Sequence, residues 1–227
     1  MKRIKFSAFI ICLIFLLSCN RTDFSNPEEV VNNYRKLSIE NKNDILYNDF
    51  ISSKSKEFVT KDEFIKTKNI PDSLFDFTKL IERKVYSYPI DVNSPSYRRF
   101  KIDEKILSKN DTVNNRFYYS LVNENGKWKV IWIETLLYFA ENKSNDGNYT
   151  EARKTLNKII EIDPFSGRAY NALAWNYYKD ETLTRYEWKN GVVNNIKYAI
   201  ALENDNFVHY NTLASYYSSI GKTDLAI

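Results

Sequence analysis

One histidine, His209, stands in 227 residues. A catalytic histidine pair or a multi-histidine metal site therefore cannot be assembled within one chain. Glycine is nearly as scarce. The five present are scattered singly, so no Gly-rich loop of the kind that cradles phosphates can be built. A sustained excess of positive charge is missing as well. The formal charge is +4, but residues 1–18 hold Lys2, Arg3 and Lys5 and no acid; without them 30 basic side chains face 29 acidic ones. Neutralising a run of phosphates takes a basic face that this composition lacks, which argues against nucleic acid as a partner. Cysteine is limited to Cys12 and Cys19. What is plentiful is apolar (43%) and aromatic (15%) content, enough for packed cores in one or two compact domains.

The N-terminus explains the surplus charge. Three basic residues precede a run from Phe6 to Leu17 that is apolar except for Ser7. Twelve helical residues span roughly 18 Å, too short for a hydrocarbon core of about 30 Å. A basic start, a short apolar middle and a small residue before a processing point describe a secretory signal over 1–18. Leu16-Leu17-Ser18-Cys19 resembles the lipobox of bacterial lipoproteins. That resemblance implies cleavage before Cys19, lipid on its sulfur and an acylated new N-terminus, with 19–26 as a lipidated linker. Cys12 would leave with the signal, so the mature chain can form no internal disulfide. Asn20 is not the aspartate that marks inner-membrane retention in the enteric-type family. Arg21-Thr22-Asp23-Phe24 fits poorly the acidic run that marks surface export in other lipoproteins. The expected address is the cell envelope, at the outer membrane and facing the periplasm.

Residues 27–133 read as an α+β domain. Asn26-Pro27-Glu28-Glu29 is a helix start: a capping side chain, a proline suited to the first turn, and acids at the positive end of the macrodipole. Val30, Val31, Tyr34 and Leu37 then recur at helical spacing. A second helical stretch covers about Lys42 to Phe50, and Thr60-Lys61-Asp62-Glu63 is a capping box opening a third helix. From Ile81 the period changes. Ile81–Ile90, Tyr97–Leu107, Arg116–Asn123 and Lys127–Ile133 read as strands, the last two joined by a tight Asn125-Gly126 hairpin. Helices followed by an antiparallel sheet ending in "ENGKWKVIWIE" resemble the NTF2-like family of cone-shaped domains. Some members of that family are isomerases or dehydratases. For such chemistry the resemblance offers Asp103, Glu104, Glu134, Tyr118 and Tyr119, but no spacing singles out a pair.

Residues 134–227 repeat. Tyr170-Asn171, Leu173-Ala174 and Tyr177 recur forty positions later as Tyr210-Asn211, Leu213-Ala214 and Tyr217, with an earlier copy in Leu136, Phe139 and Ala140. These units resemble the tetratricopeptide repeat (TPR), an all-α hairpin of 34 residues. Gly147-Asn148-Tyr149-Thr150-Glu151-Ala152 matches the turn and second-helix start, and Asp163-Pro164 closes the unit. Repeat one spans about 133–166, with Lys143 where an aromatic is usual. Repeat two spans about 167–206, with some six extra residues near Glu181–Tyr186. Repeat three begins near Phe207 and reaches Gly221 and Ala226. A helical array needs covered ends, so the expectation is either a truncated product or an end capped by a partner, truncation being simpler.

The TPR resemblance implies a groove lined by first helices. Position by position it offers Arg168, Asn171, Trp175, Tyr178 and Lys179, then Asn211, Ser215 and Ser218. The amides suit a peptide backbone and the aromatics suit apolar anchoring. Trp175 stands where the family's carboxylate clamp has asparagine, so that clamp is not expected. His209 is expected at the surface. The reading is a lipid-anchored binding or assembly module for an envelope protein or peptide, without catalytic residues, metal or cofactor. The alternative is a small-molecule binder or isomerase-type enzyme using the cone.

Overall fold

The computed structural model describes residues 22–69, 77–87, 95–108 and 111–222. The signal segment, Cys19 and Ala226 lie outside these residues. Helix α1 (Pro27–Ile39) starts as its sequence dictates: the Asn26 side chain accepts from the Glu28 and Glu29 amides, and Val30, Val31 and Tyr34 are fully buried. The helical stretch expected over Lys42–Phe50 is one α-helical turn, α2 (Asn43–Ile45), continued by a π-helical turn over Leu46–Phe50. Leu46 and Phe50 both reach the core from it. After α3 (Ser53–Lys56), the Thr60–Glu63 capping box opens α4 (Lys61–Lys68).

Strands β1 (Phe77–Ser87), β2 (Tyr97–Ser108), β3 (Asp111–Glu124) and β4 (Lys127–Val130) form one antiparallel sheet in sequence order. Asn125 and Gly126 both take positive φ, as a tight hairpin requires. The last strand ends at Val130, three residues earlier than its β-rich sequence predicts. There Ile131 N–H still donates to the Ser120 carbonyl of β3 at 2.8 Å, while on the other edge Ser52 N–H donates to the Val130 carbonyl at 2.9 Å and Trp132 N–H to Ser55 Oγ at 2.9 Å. The chain is thus drawn toward the N-terminal helices before α5 (Glu134–Asn145) begins.

Alternation along β2 gives the sheet two different faces. Phe100 and Ile102 pair with Tyr119 and Phe117, and this face packs under α1, Tyr34 meeting Tyr119 edge-on at 5.5 Å. Tyr97, Arg99 and Lys101 point the other way. Beyond the sheet, α5 and α6 (Tyr149–Ile162) pack together through a turn at Gly147, whose φ is +77°. Helices α7 (Gly167–Lys179) and α8 (Arg185–Leu202) form a second packed pair, and α9 (Phe207–Ser219) lies against both. The molecule is therefore mixed α+β: helices, a four-stranded antiparallel sheet, then helices. One cluster of buried apolar side chains runs from Val30 through Ile102 and Val130 to Leu136, Leu156 and Leu173. A smaller one, Ala174, Ile196 and Ala199, lies between α7 and α8.

The α7–α8 pair is unusually close at one point. A Cβ added to Gly191 would collide with the Tyr177 ring. Gly191→Ala replaces a poor helix former by the best one, yet overpacking should win and lower stability by about 1–3 kcal/mol. Urea unfolding checks the sign.

Candidate functional site

The sheet meets the C-terminal helices through charged groups at the turns between helices. Asp163 follows α6 and Glu203 follows α8, forty residues apart, and each is the residue after its helix. Tyr97 OH donates to Asp163, Arg99 pairs with Glu203, and Lys101 pairs with Asp205 at 2.9 Å. Alternate residues of one strand thus hold the α6–α7 and α8–α9 turns. Arg116 also reaches Asp205, at 3.2 Å, and Tyr118 OH donates to it at 2.5 Å.

Glu203 is the most heavily engaged of these acids. Besides Arg99 it accepts from Gly167 N–H (3.1 Å), Asn206 Nδ2 (2.7 Å) and His209 Nε2 (2.9 Å). Burial works to raise its pKa, but the hydrogen bond from His209 and the Arg99 charge prevail and hold it below the ordinary carboxylate value. Asp163 goes the other way, its pKa raised by burial despite its partners. His209, expected at the surface, is 1% exposed. The correction has a plain cause: the acid six residues before it is buried and needs donors, and the imidazole supplies one.

Docked in this way, the sheet and helices enclose a cleft of about 1130 Å³. Its walls come from β1–β3, from α5 and α7, and from the first turn of α9, with Arg35, Lys68 and Trp132 contributed by the N-terminal part. Of the residues offered for a groove, Arg168, Asn171 and Trp175 line it. Tyr178 does not, though its ring lies 5.1 Å from that of Trp175. Lys179 is exposed and donates to Asn145 Oδ1 at 3.1 Å. Asn211, Ser215 and Ser218 lie along α9 away from the lining; Ser215 Oγ is spent on the Asn211 carbonyl at 2.9 Å.

The polar groups offered for isomerase-type chemistry also reach this cleft, but each acid is already engaged. Glu104 is buried between Arg35 and Arg83, with Arg35 forking onto both carboxylate oxygens at 3.1 Å and 2.8 Å and stacking on Phe117 at 4.1 Å. Asp103 pairs with Arg116 at 2.7 Å, and Glu134 with Arg168 at 2.5 Å. Tyr119 is raised above the ordinary phenol value by burial, so it remains a neutral hydroxyl. Lys68 differs from these groups. Its ammonium donates to Ser38 Oγ and lies 5.7 Å from the Trp132 ring centroid. Burial, with the Arg35 charge adding to it, lowers its pKa to about 8. Nothing in sequence distinguishes Lys68 from Lys66, two residues earlier. Only the fold places one of them in a cavity wall.

Among the described residues no group of three or more His, Cys, Asp or Glu side chains is arranged to hold a metal ion. Fold and site together define a mixed α+β protein with an open, charge-balanced cleft between sheet and helices. No protein-family model matches the chain, and no curated protein matches it.

Proposed function

We propose that this chain is a lipid-anchored protein of the bacterial cell envelope that holds a protein or peptide partner in the cleft between its sheet and its helices. In this reading the hairpins α5–α6 and α7–α8 are tetratricopeptide-type repeats, and the N-terminal part is an NTF2-like cone that closes one side of their groove. The observation that carries it is the convergence of Arg168, Asn171 and Trp175 with sheet residues on one cleft. That volume, about 1130 Å³, is at the upper end of ordinary ligand pockets and suits an extended segment of several residues. The lipobox supports the address. No helix among the described residues is long and apolar enough to cross a membrane, and the anchor would be the lipid on Cys19.

A photoreactive amino acid in place of Trp175, illuminated in intact cells, should yield a discrete cross-linked partner. The same group at exposed Lys197 on α8 should not. An identical adduct pattern from both positions would count against the cleft. Once the partner is identified, Trp175→Ala should weaken its binding by about 1–3 kcal/mol, the range of a central aromatic anchor. A small-molecule ligand is the second reading, favoured by Lys68 in the cleft wall.

A further inference from the structure

We infer that Lys68 is the anion-binding point of the cleft and that the group it takes is a carboxylate, presented beside an N–H that Asn171 accepts. The inference rests on the cleft being the binding site proposed above and names the chemistry of what enters it.

Consider first how the other charges are spent. Arg35 and Arg83 share Glu104, Arg116 is divided between Asp103 and Asp205, Lys101 is on Asp205, and Arg168 is on Glu134. Exposed cations such as Lys105 keep their water. Lys68 is half-buried, and no carboxylate pairs with it among the described residues. A lysine ammonium has three donors, and Ser38 takes one. Two have no partner among the described residues and are left for a ligand. Around it stand Ser38 and Arg35 from α1, the Trp132 ring, and Glu134 at the start of α5. Counting Arg35, Arg83, Lys68 and Arg168 against Glu104, Glu134 and Glu141, the local excess is one positive charge.

A singly charged anion cancels that excess. A phosphate dianion would leave surplus negative charge against Glu134, Glu104 and Glu141, all of which line the same cleft. The second group is independent of charge. Asn171 is 8% exposed and lines the cleft, and its Oδ1 has no hydrogen-bond partner among the described residues. A buried acceptor left unmade is costly, so the ligand that completes the site carries an N–H donor. Trp175 follows Asn171 by one helical turn and offers an apolar surface beside it.

The test uses the detergent-solubilised full chain and two probes, N-acetyl-dialanine with a free carboxylate and its C-terminal amide, followed by saturation-transfer NMR. The acid should bind and the amide at least tenfold more weakly. Lys68→Met should lose the acid by at least tenfold, and Lys68→Arg should retain it. A pH series needs no variant: binding of the acid should fall from pH 7 to pH 9.5 as the ammonium is lost. Equal binding of acid and amide would overturn the inference, as would unchanged binding in Lys68→Met, a flat pH series, no binding of either probe, or displacement of the acid by equimolar inorganic phosphate. Acid binding without a cross-linked protein from position 175 would retire the protein partner and leave the carboxylate site standing. The converse would retire Lys68 alone.

Discussion

Glu203→Ala should lower stability by about 3–5 kcal/mol, the cost of leaving buried charge without its counter-ion. At roughly 2–4 °C per kcal/mol for a chain of this size, Tm should drop by about 6–20 °C. The side chains of Arg99 and Glu203 are 3% and 1% exposed, so water cannot replace the lost partner. The substitution also strands the donors of Gly167, Asn206 and His209. Removing Arg99 as well should cost less than the two single changes together, because the double variant leaves no unpaired guanidinium. The pH dependence follows from the direction of the shift. Glu203 is held below its ordinary value of 4.5 in the folded state, so its contribution is complete above that pH and is lost as pH falls through the folded value. Asp205 is lowered too and acts in the same sense. Asp163 is raised, so its protonation does not add to the loss. Urea unfolding of wild type and Glu203→Gln at pH 7 and pH 4 should therefore show the gap between them narrowing in acid. A constant gap would deny the carboxylate this role.

Cys19→Ser should abolish lipid labelling and take the protein out of the outer-membrane fraction, the uncleaved signal leaving it at the inner membrane instead. Several acyl chains hold a protein durably on a bilayer, whereas a serine offers no sulfur to carry the thioether-linked lipid. Fractionation and metabolic labelling with palmitate check it. Unchanged outer-membrane association with no label in either form would remove the lipid from the proposal.

Local structure was legible wherever neighbouring residues decide it. The Asn26 cap, the Thr60–Glu63 capping box and the Asn125-Gly126 turn stand where short-range rules place them. Gly147 marked the turn between the first pair of C-terminal helices. What could not be read were decisions made across long sequence separations. The outer edge of the chain at Val130 and Trp132 is taken by residues 52 and 55, which no local pattern places there. His209 is buried by an acid whose own burial depends on Arg99, 104 residues before that acid in the chain. Lys68 reaches the cleft by the placement of a short helix, not by any pattern of its own. Arg168, Asn171 and Trp175, offered by the TPR resemblance, share the cleft wall on α7. Their opposite wall, the sheet, was not legible.

The alternation of Tyr97, Arg99 and Lys101 acts as a ruler for the whole molecule. A slip of one residue in β2 would turn all three inward at once and release both helical turns together. The gap between sheet and helices is therefore not free to drift with loop length or side-chain volume. It is set by strand register, so evolution can rebuild what lines the cleft while its width stays nearly fixed.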